Sequence, residues 1–437
     1  MKRLWAYMAL VVFVSAASIP ETGWAQTAGQ TTEVAVVKEI TPDSLRGKQT
    51  GFMSLAVKNQ RVIVAGTAYR FIQLSLDGGL TWDERNWLNA GVYAPFGEIY
   101  AALAARNGSF FVGTEAAICK STDDGRSWRT VWTWGKDTIR IFCLLEVRDT
   151  IWAGGDGILR SIDGGETWTV MANRSTTYPY VGGMAALLGR AMLVGIESAY
   201  SSTARGVMKS TDQGATWNFM NAGLTNKNIV SLATFPSLFS RTVYASTYDG
   251  GVFVSTDEGS SWKPETGLPI RYGGPVFIGS VLGVFAGDAH GSGLYRLLGG
   301  AWQKIEGFEG HFILSITEFS LSQLLVGTHR GIFLVTFPNP TFVEGQGTPE
   351  TFQLSQNYPN PFNPSTCIVY RVAQSAQVRL AVYNIFGIEI AVLVEERKSP
   401  GAYTVRFDGS RLPSGIYFYR LETSDGFKAA KKMLLVK

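Results

Sequence analysis

The segment Ser161-Ile-Asp-Gly-Gly-Glu-Thr-Trp168 is the most informative part of the chain about its fold, because it is one of five copies of the pattern Ser-x-Asp-x-Gly-x-x-Trp. The other copies begin at Ser75, Ser121, Ser210 and Ser255, and successive copies are separated by 46, 40, 49 and 45 residues. Self-similarity at a period of about 40 to 50 residues, with strand-like sequence between the copies, is typical of β-propeller blades. We call these five segments the octets.

Each octet predicts a tight turn between two antiparallel strands. An Asp carboxylate can accept hydrogen bonds from backbone amides further along the chain, and the Gly supplies the positive φ that a hairpin needs. The Trp at the end gives the hairpin a large apolar surface to bury. The octet carboxylates are therefore predicted to be structural; they belong to Asp77, Asp123, Asp163, Asp212 and Asp257.

The octet resembles the Asp-box, or BNR, repeat of sialidases, sortilin-type receptors, some endo-glucanases and a photosystem assembly factor. The resemblance covers roughly residues 33–337. It implies a β-propeller in which each box is a structural turn on the rim, and it does not by itself imply an activity.

Two further repeats lack an octet, which brings the predicted number of blades to seven. They contain Val284-Phe-Ala-Gly-Asp288 and Leu324-Leu-Val-Gly-Thr328. The last repeat has no outer strand after Thr336, whereas an alternating stretch from Glu33 to Lys38 precedes the first repeat. We therefore predict that the two ends share one blade and close the ring, which removes exposed sheet edges.

Residues 1–25 have the pattern of a secretory signal peptide. Lys2 and Arg3 precede an apolar run, and a plausible cleavage site follows Ala25. No later apolar stretch is long enough to span a bilayer, so no transmembrane segment is expected after the leader is removed. We expect an exported protein that passes through the periplasm.

Cysteine usage does not indicate a disulfide framework, because the chain has only Cys119, Cys143 and Cys367. Cys119 and Cys143 lie in adjacent repeats and could pair. The alternative, which we favour, is two buried free thiols.

The C-terminal part of the chain predicts a second, smaller domain. Residues 338–350 are rich in Pro, Gly and polar residues and are typical of a linker. Residues 351–437 alternate short strands with turns, which predicts a small Ig-like β-sandwich and an all-β protein as a whole.

Two motifs of this domain closely resemble the type A C-terminal sorting domain of type IX secretion. They are Asn357-Tyr-Pro-Asn-Pro-Phe-Asn-Pro-Ser-Thr366 and Leu412-Pro-Ser-Gly-Ile-Tyr-Phe-Tyr-Arg-Leu421. The resemblance implies an address read by the outer-membrane secretion machinery of a Bacteroidota-like bacterium, and hence a secreted or cell-surface protein. The alternative is an ordinary adhesive sandwich domain.

The distribution of charge argues against nucleic acid as a partner. The chain has 39 basic and 35 acidic residues; the leader holds two and one of them, and the segment from Glu350 holds 11 and 7. The remaining 26 and 27 leave the propeller and linker nearly neutral, without the basic surface that nucleic acid or an anionic membrane would attract.

Catalysis has weaker support than binding. A sialidase needs an arginine triad, but the FRIP-type motif that carries its first arginine is missing, and the arginines Arg70, Arg271 and Arg330 are scattered. Carboxylates after the second strand of several repeats leave a two-carboxylate glycoside hydrolase as an alternative. Its weak candidates are Asp156, Asp249 and Asp288, with Glu115 and Glu197 at similar positions. One acid per turn is also what ordinary hairpin chemistry produces.

A non-catalytic binding module for an extracellular glycan or protein is the favoured function. The connections between blades are rich in aromatic residues, which suit stacking on sugars or contact with an extended peptide. The alternative is that these rings fill gaps between blades. The predicted ligand-binding residues are Tyr93, Phe96, Trp132, Tyr178, Tyr180 and Tyr272, with the 197–205 loop beside them. The histidines His290, His311 and His329 lack metal-ligand spacing, so we expect no metal and no cofactor.

Overall fold

A computed structural model describes two parts of the chain. It covers residues 35–337, with gaps at 70, 87–97, 134–139, 148, 174–179, 188–190, 198–205, 235–240, 280–281, 299 and 321, and residues 351–436, with gaps at 358–359 and 361. The predicted leader and linker lie outside the described residues.

Short strands separated by turns form seven four-stranded antiparallel sheets between Val36 and Thr336. The inner strands are β2 (Phe52–Lys58), β6 (Ile99–Ala104), β10 (Ile141–Val147), β14 (Val181–Ala186), β18 (Ile229–Thr234), β22 (Gly273–Gly279) and β26 (Ile313–Ser320). The second strands are β3 (Val62–Thr67), β7 (Phe110–Thr114), β11 (Thr150–Gly155), β15 (Met192–Ile196), β19 (Val243–Thr247), β23 (Gly283–Asp288) and β27 (Gln323–Thr328).

The third and outer strands follow in each sheet. The third strands are β4 (Phe71–Ser75), β8 (Ala117–Ser121), β12 (Gly157–Ser161), β16 (Gly206–Ser210), β20 (Val252–Ser255), β24 (Leu294–Leu298) and β28 (Ile332–Thr336). The outer strands of blades 1 to 6 are β5 (Asp83–Asn86), β9 (Arg129–Thr133), β13 (Thr169–Asn173), β17 (Asn218–Phe219), β21 (Lys263–Pro264) and β25 (Ala301–Ile305). A short 3-10 helix, Asp43–Leu45, lies before blade 1.

The inner strand of each sheet contacts the inner strand of the next, and β26 contacts β2, so the sheets form a closed ring. The outer strand of the last sheet is β1 (Val36–Glu39), which pairs antiparallel with β28. Ile40 continues this contact, because its amide donates to the Ile332 carbonyl. The predicted all-β propeller and its shared blade are confirmed.

Neighbouring blades approach closely where a glycine stands in the second strand. A Cβ built on Gly113 would lie 2.5 Å from Cγ2 of Ile141 in the next blade. At the junction of blades 5 and 6 the glycine is on the other side. Blade 5 has Ser246 in its second strand, and the inner strand of blade 6 begins with Gly273, where the other inner strands begin with a bulky residue. The glycine contact recurs at five other junctions: Gly66 with Ile99, Gly154 with Val181, Gly195 with Ile229, Gly287 with Ile313 and Gly327 with Phe52.

The C-terminal domain consists of two antiparallel sheets. One contains β29 (Gln353–Leu354), β30 (Ser365–Val372) and β33 (Gly401–Asp408); the other has the order β32 (Glu389–Lys398), β31 (Ala376–Tyr383), β34 (Gly415–Thr423) and β35 (Lys428–Leu435). Tyr370 from the first sheet and Leu380 and Tyr419 from the second share one core in which all three are fully buried. This is the predicted β-sandwich.

The three cysteines are free thiols. Burial raises the pKa of Cys119 and Cys143 to about 12. The Sγ atom of Cys143 lies 3.7 Å from the Gly154 carbonyl oxygen, so this thiol packs against the second strand of its own blade.

Candidate functional site

The octets form turns on one face of the propeller, which we call the octet face. In the octet that begins at Ser161, the Ser hydroxyl donates to Asp163 Oδ1 at 2.8 Å and accepts from the Gly165 amide at 2.8 Å. Asp163 also accepts from the amide and the hydroxyl of Thr167. The other four octets repeat these bonds from Ser, Gly and the hydroxyl residue that precedes Trp.

These bonds stabilise the charged form of the octet carboxylates. The hydroxyl of Thr216, followed by its amide, lowers the pKa of Asp212 to about 2. At Asp77, burial raises the pKa, but the bonds from Thr81 and Ser75 outweigh it and the pKa falls to about 2. The carboxylates are occupied within their own turns, and the geometry supports the structural role predicted for them.

The opposite face, which we call the loop face, carries the blade-to-blade connections and the loops between second and third strands. One backbone bond recurs there: the first residue of the loop donates to the carbonyl of the residue that precedes the inner strand. It joins Ala68 to Gly51, Asp156 to Arg140, Glu197 to Tyr180, Tyr248 to Asn228, Ala289 to Tyr272 and His329 to Phe312, at 2.8 to 3.2 Å.

Two of the three weak catalytic candidates on this face are buried in turns. Asp156 is fully buried and accepts from the Arg140 amide at 3.0 Å. Asp288 is 1% exposed, and its Oδ1 accepts from the amides of His290 at 2.7 Å and Ser292 at 3.1 Å. Asp249 is exposed and accepts from the Asn226 amide group. The three carboxylates come from blades 3, 6 and 5. Asp288 is held by its own loop, whereas Asp156 and Asp249 accept from the connection that precedes the inner strand of their blade.

A row of planar side chains crosses blades 6 and 7 on the loop face. The ring centroids of Tyr272 and His290 are 4.1 Å apart, those of His290 and Phe312 are 6.3 Å apart, and those of Phe312 and His329 are 4.3 Å apart. His290 is exposed and the other three rings are half-buried. The guanidinium group of Arg271 lies 5.6 Å from the Tyr272 ring. We call these four rings the ring row.

Hydrogen bonding fixes the state of His329 within the ring row. Its Nδ1 accepts from the Phe312 amide at 3.1 Å, so the proton of the neutral ring lies on Nε2. Burial, and then the charge of Arg330, lower the pKa of His329 to about 4. The ring is therefore neutral near pH 7 and offers Nε2–H as a hydrogen-bond donor.

A second group of rings lies on the loop face of blades 2 to 4. In β6 and β10 a β-bulge follows the first residue of the strand. The bulged residues are Tyr100 and Phe142, which have no partner in the register with the second strand. Their ring centroids are 5.1 Å apart, and Phe142 lies 6.3 Å from Tyr180. Burial and a hydrogen bond to Glu98 raise the pKa of Tyr100.

The predicted ligand-binding residues have different surroundings. Tyr272 lies in the ring row. Tyr180 is only 6% exposed, and Trp132 packs against the core between blades 2 and 3, so both fill space between blades. Tyr93, Phe96 and Tyr178 lie outside the described residues, as do residues 198–205 of the predicted loop.

Sequence reasoning did not identify His290, Phe312 and His329 as partners of Tyr272. A signal was available, because Tyr180, Tyr272 and Phe312 all directly precede an inner strand and therefore occupy equivalent positions. Within the described residues, no three His, Cys, Asp or Glu side chains are grouped so that they could hold a metal ion. The described chain also contains no helix long and apolar enough to cross a membrane.

The C-terminal domain matches a known family. Residues 356–437 match the family described as secretion system C-terminal sorting domain. The domain is therefore a sorting domain, and it indicates export by type IX secretion to the cell surface or the extracellular space. No curated protein sequence matches the chain.

Solved structures are similar to the chain in fold. The structure of YCF48 bound to D1 peptide has a TM-score of 0.53 and 13% identity, and the match covers 71% of this chain and 99% of that chain. YCF48 from Cyanidioschyzon merolae has a TM-score of 0.53 and 12% identity over 69% of this chain and 99% of that one.

A third similar structure is the extracellular domain of the putative hybrid two component system BT3049 from B. thetaiotaomicron. It has a TM-score of 0.54 and 12% identity, and the match covers 88% of this chain and 55% of that chain. At these identities the likeness concerns the fold alone, and it agrees with the propeller described above.

Proposed function

We propose that the exported propeller is a non-catalytic binding module that engages an extracellular glycan or protein through its loop face. The ring row is the observation that carries this proposal, because rings that only filled gaps between blades would be buried, whereas His290 is exposed. The YCF48 structure, which holds a D1 peptide, supports a peptide as one class of ligand for a propeller of this kind.

The ring row restricts how a ligand makes contact. Phe312 and His329 are stacked face to face with an interplanar angle of 23°, so their faces contact each other. The ring row offers a ligand ring edges, which carry partial positive charge, and the donor on His329 Nε2. Ligands rich in oxygen acceptors, such as glycan hydroxyls and peptide carbonyls, fit these groups.

We further propose the organisation that delivers this module. Residues 1–25 act as the leader to the periplasm, residues 33–337 form the propeller with octets of the Asp-box class, residues 338–350 link the domains, and residues 351–437 engage the type IX machinery. The hydrogen bonds shared by the five octets and the match of residues 356–437 support this organisation.

Two equivalent tyrosines provide the test. Glycan and peptide arrays probed with the protein identify the ligand, and Tyr272→Ala is expected to weaken its binding at least tenfold with little change in melting temperature. Tyr180→Ala, at the same position in blade 4, removes a buried ring and is expected to cost roughly 3 kcal/mol of unfolding free energy.

Loss of stability without loss of binding in Tyr272→Ala contradicts the proposal. Turnover of a polysaccharide that disappears in Asp249→Asn establishes the glycoside hydrolase in its place.

A further inference from the structure

The exposed large apolar side chains of the described residues are concentrated in the sorting domain. Six of the fifteen are scattered over the propeller, and the other nine lie between Ile385 and Val436. Scattered apolar residues are normal on a protein surface, whereas a concentration of them marks a contact surface. The nine are Ile385, Phe386, Ile388, Ile390, Val392, Ile416, Phe418, Leu434 and Val436.

Strand register brings several of these side chains to one end of the four-stranded sheet. Phe418 pairs with Tyr383, the last residue of β31, and Ile416 pairs with Leu434 on β35. The hairpin of residues 384–388 continues from Tyr383 at this same end. It carries Ile385, Phe386 and Ile388, which are 62%, 80% and 60% exposed, and we call these three residues the apolar tip.

Four of the five backbone amides of this hairpin, those of Asn384, Phe386, Gly387 and Ile388, are hydrogen-bonded within it. Asn384 Oδ1 accepts from the amides of Phe386 at 2.9 Å and Ile388 at 3.0 Å. The Asn384 carbonyl accepts from Gly387, and the Asn384 amide donates to the Ile388 carbonyl, both at 3.0 Å. Transfer of an unpaired amide from water to an apolar medium costs free energy, and these four amides keep their partners when the turn enters such a medium.

Basic side chains accompany the apolar tip. Lys432 pairs with Phe418 on β35 and is exposed, and Arg411 is exposed in the loop that leads into β34. The segment from Glu350 holds 11 basic and 7 acidic residues, in contrast to the nearly neutral propeller. An excess of positive charge beside exposed apolar groups is complementary to an anionic lipid surface.

We propose that the apolar tip inserts into the interfacial region of an anionic membrane and that Lys432 and Arg411 contact the lipid headgroups. A convex tip with three protruding apolar side chains buries them all in a medium that deforms around it, whereas a protein partner needs a matching pocket. The sorting domain thereby holds the exported chain at a membrane surface while the secretion machinery acts on it.

Vesicle sedimentation of the chain from residue 26 to residue 437 tests the proposal. The protein is expected to sediment with vesicles of phosphatidylglycerol and phosphatidylethanolamine, and less with vesicles of phosphatidylcholine alone. The double variant Phe386→Ser, Ile388→Ser is expected to bind at least tenfold more weakly, because two large apolar groups no longer leave water. Lys432→Glu with Arg411→Glu is expected to weaken binding to the anionic vesicles selectively.

A matched control removes equally exposed apolar groups elsewhere. Leu80 and Ile162 are 77% and 72% exposed in octet turns, so Leu80→Ser with Ile162→Ser is expected to leave vesicle binding unchanged. Unchanged melting temperatures show that the variants are folded.

Two results overturn the proposal. One is a parent protein that sediments with neither vesicle. The other is a tip variant that binds anionic vesicles like the parent; if export of that variant fails, the apolar tip contacts a protein receptor instead.

Discussion

At the scale of single residues, one serine hydroxyl in each octet joins the carboxylate and a buried backbone amide of the same turn. Ser161 is 1% exposed, and its hydroxyl satisfies the buried Gly165 amide while it donates to Asp163. All of these partners lie within seven residues, so the turn forms from local sequence. The octet carboxylates contribute to stability only while they are charged.

Acid is therefore expected to destabilise the propeller. The pKa values of Asp77, Asp212 and Asp257 fall from the ordinary value of 3.8 to about 2 in the folded state. A carboxyl group with a lowered pKa stabilises the fold above its unfolded pKa, and this stabilisation is lost as the pH falls through the folded value. Melting temperatures should drop between pH 4 and pH 2.

Two substitutions separate this effect from general acid denaturation. Asp77→Asn is expected to lower the melting temperature at pH 7 and to reduce its dependence on pH below 4. Asp249→Asn, which removes an acid outside the octets, should follow the parent at every pH. An identical acid response in Asp77→Asn and the parent would contradict the assignment.

At the scale of elements, each blade is held to the next by close contact and by charge. Gly113 admits Ile141 of the following blade. On the octet face, Lys120 Nζ lies 2.7 Å from Glu166 Oε1 and donates to the Gly164 carbonyl at 2.8 Å, so blade 2 holds the octet of blade 3. Lys209 and Glu258 repeat this contact between blades 4 and 5.

A Cβ at the glycine contact is expected to push the blades apart. Gly113→Ala should cost on the order of 1 to 3 kcal/mol of unfolding free energy, because a closely packed junction has to shift. Removing the facing Cγ2 methyl as well, in Gly113→Ala with Ile141→Ala, should cost less than the sum of the two single losses, because the two side chains no longer compete for the same space. The unfolding free energies of the two single variants and the double variant are measured with denaturant. If the loss in the double variant equals the sum of the two single losses, the two side chains do not compete for the same space.

Closure of the ring depends on β1. Deletion of residues 26–40 removes the partner of β28 and exposes the edge that includes Ile332 and Phe333. We expect a markedly lower melting temperature or aggregation, because an open apolar edge pairs with other chains. A deletion variant that remains monomeric in size-exclusion chromatography and melts like the parent would show that blade 7 is stable with three strands.

At the scale of the whole molecule, our proposals assign delivery to the sorting domain and binding to the propeller. The propeller is nearly neutral and presents the ring row, whereas the sorting domain is basic and presents the apolar tip. Each domain has a core of its own, with Tyr419 and Leu380 in the sandwich and separate clusters between the blades. Removal of one domain should therefore leave the core of the other intact.

Deletion of residues 351–437 is expected to leave a folded propeller that stays in the periplasm. The deleted segment contains the matched sorting domain, so the secretion machinery has no address to read. Cell fractionation, with a melting curve of the retained protein, measures both parts of this prediction. Normal surface delivery of the truncated chain would mean that export information lies elsewhere in the chain.

The class of fold, the shared blade and the sorting domain could be predicted from the sequence. The octets could be interpreted because their hydrogen bonds join residues no more than four positions apart, as between Asp163 and Thr167. The shared blade could be predicted because a strand at each end of the propeller lacked a partner. The sorting domain was evident from contiguous motifs.

The contacts between side chains of different blades could not be predicted from the sequence. Tyr272, His290, Phe312 and His329 come from successive loops, and the packing of blade 7 against blade 6 brings them into one row. The same packing buries Tyr180 while it leaves Tyr272 half-exposed at an equivalent position. Local turn chemistry depends on neighbouring residues and can be predicted from them, whereas exposure and ring contacts depend on packing between distant segments.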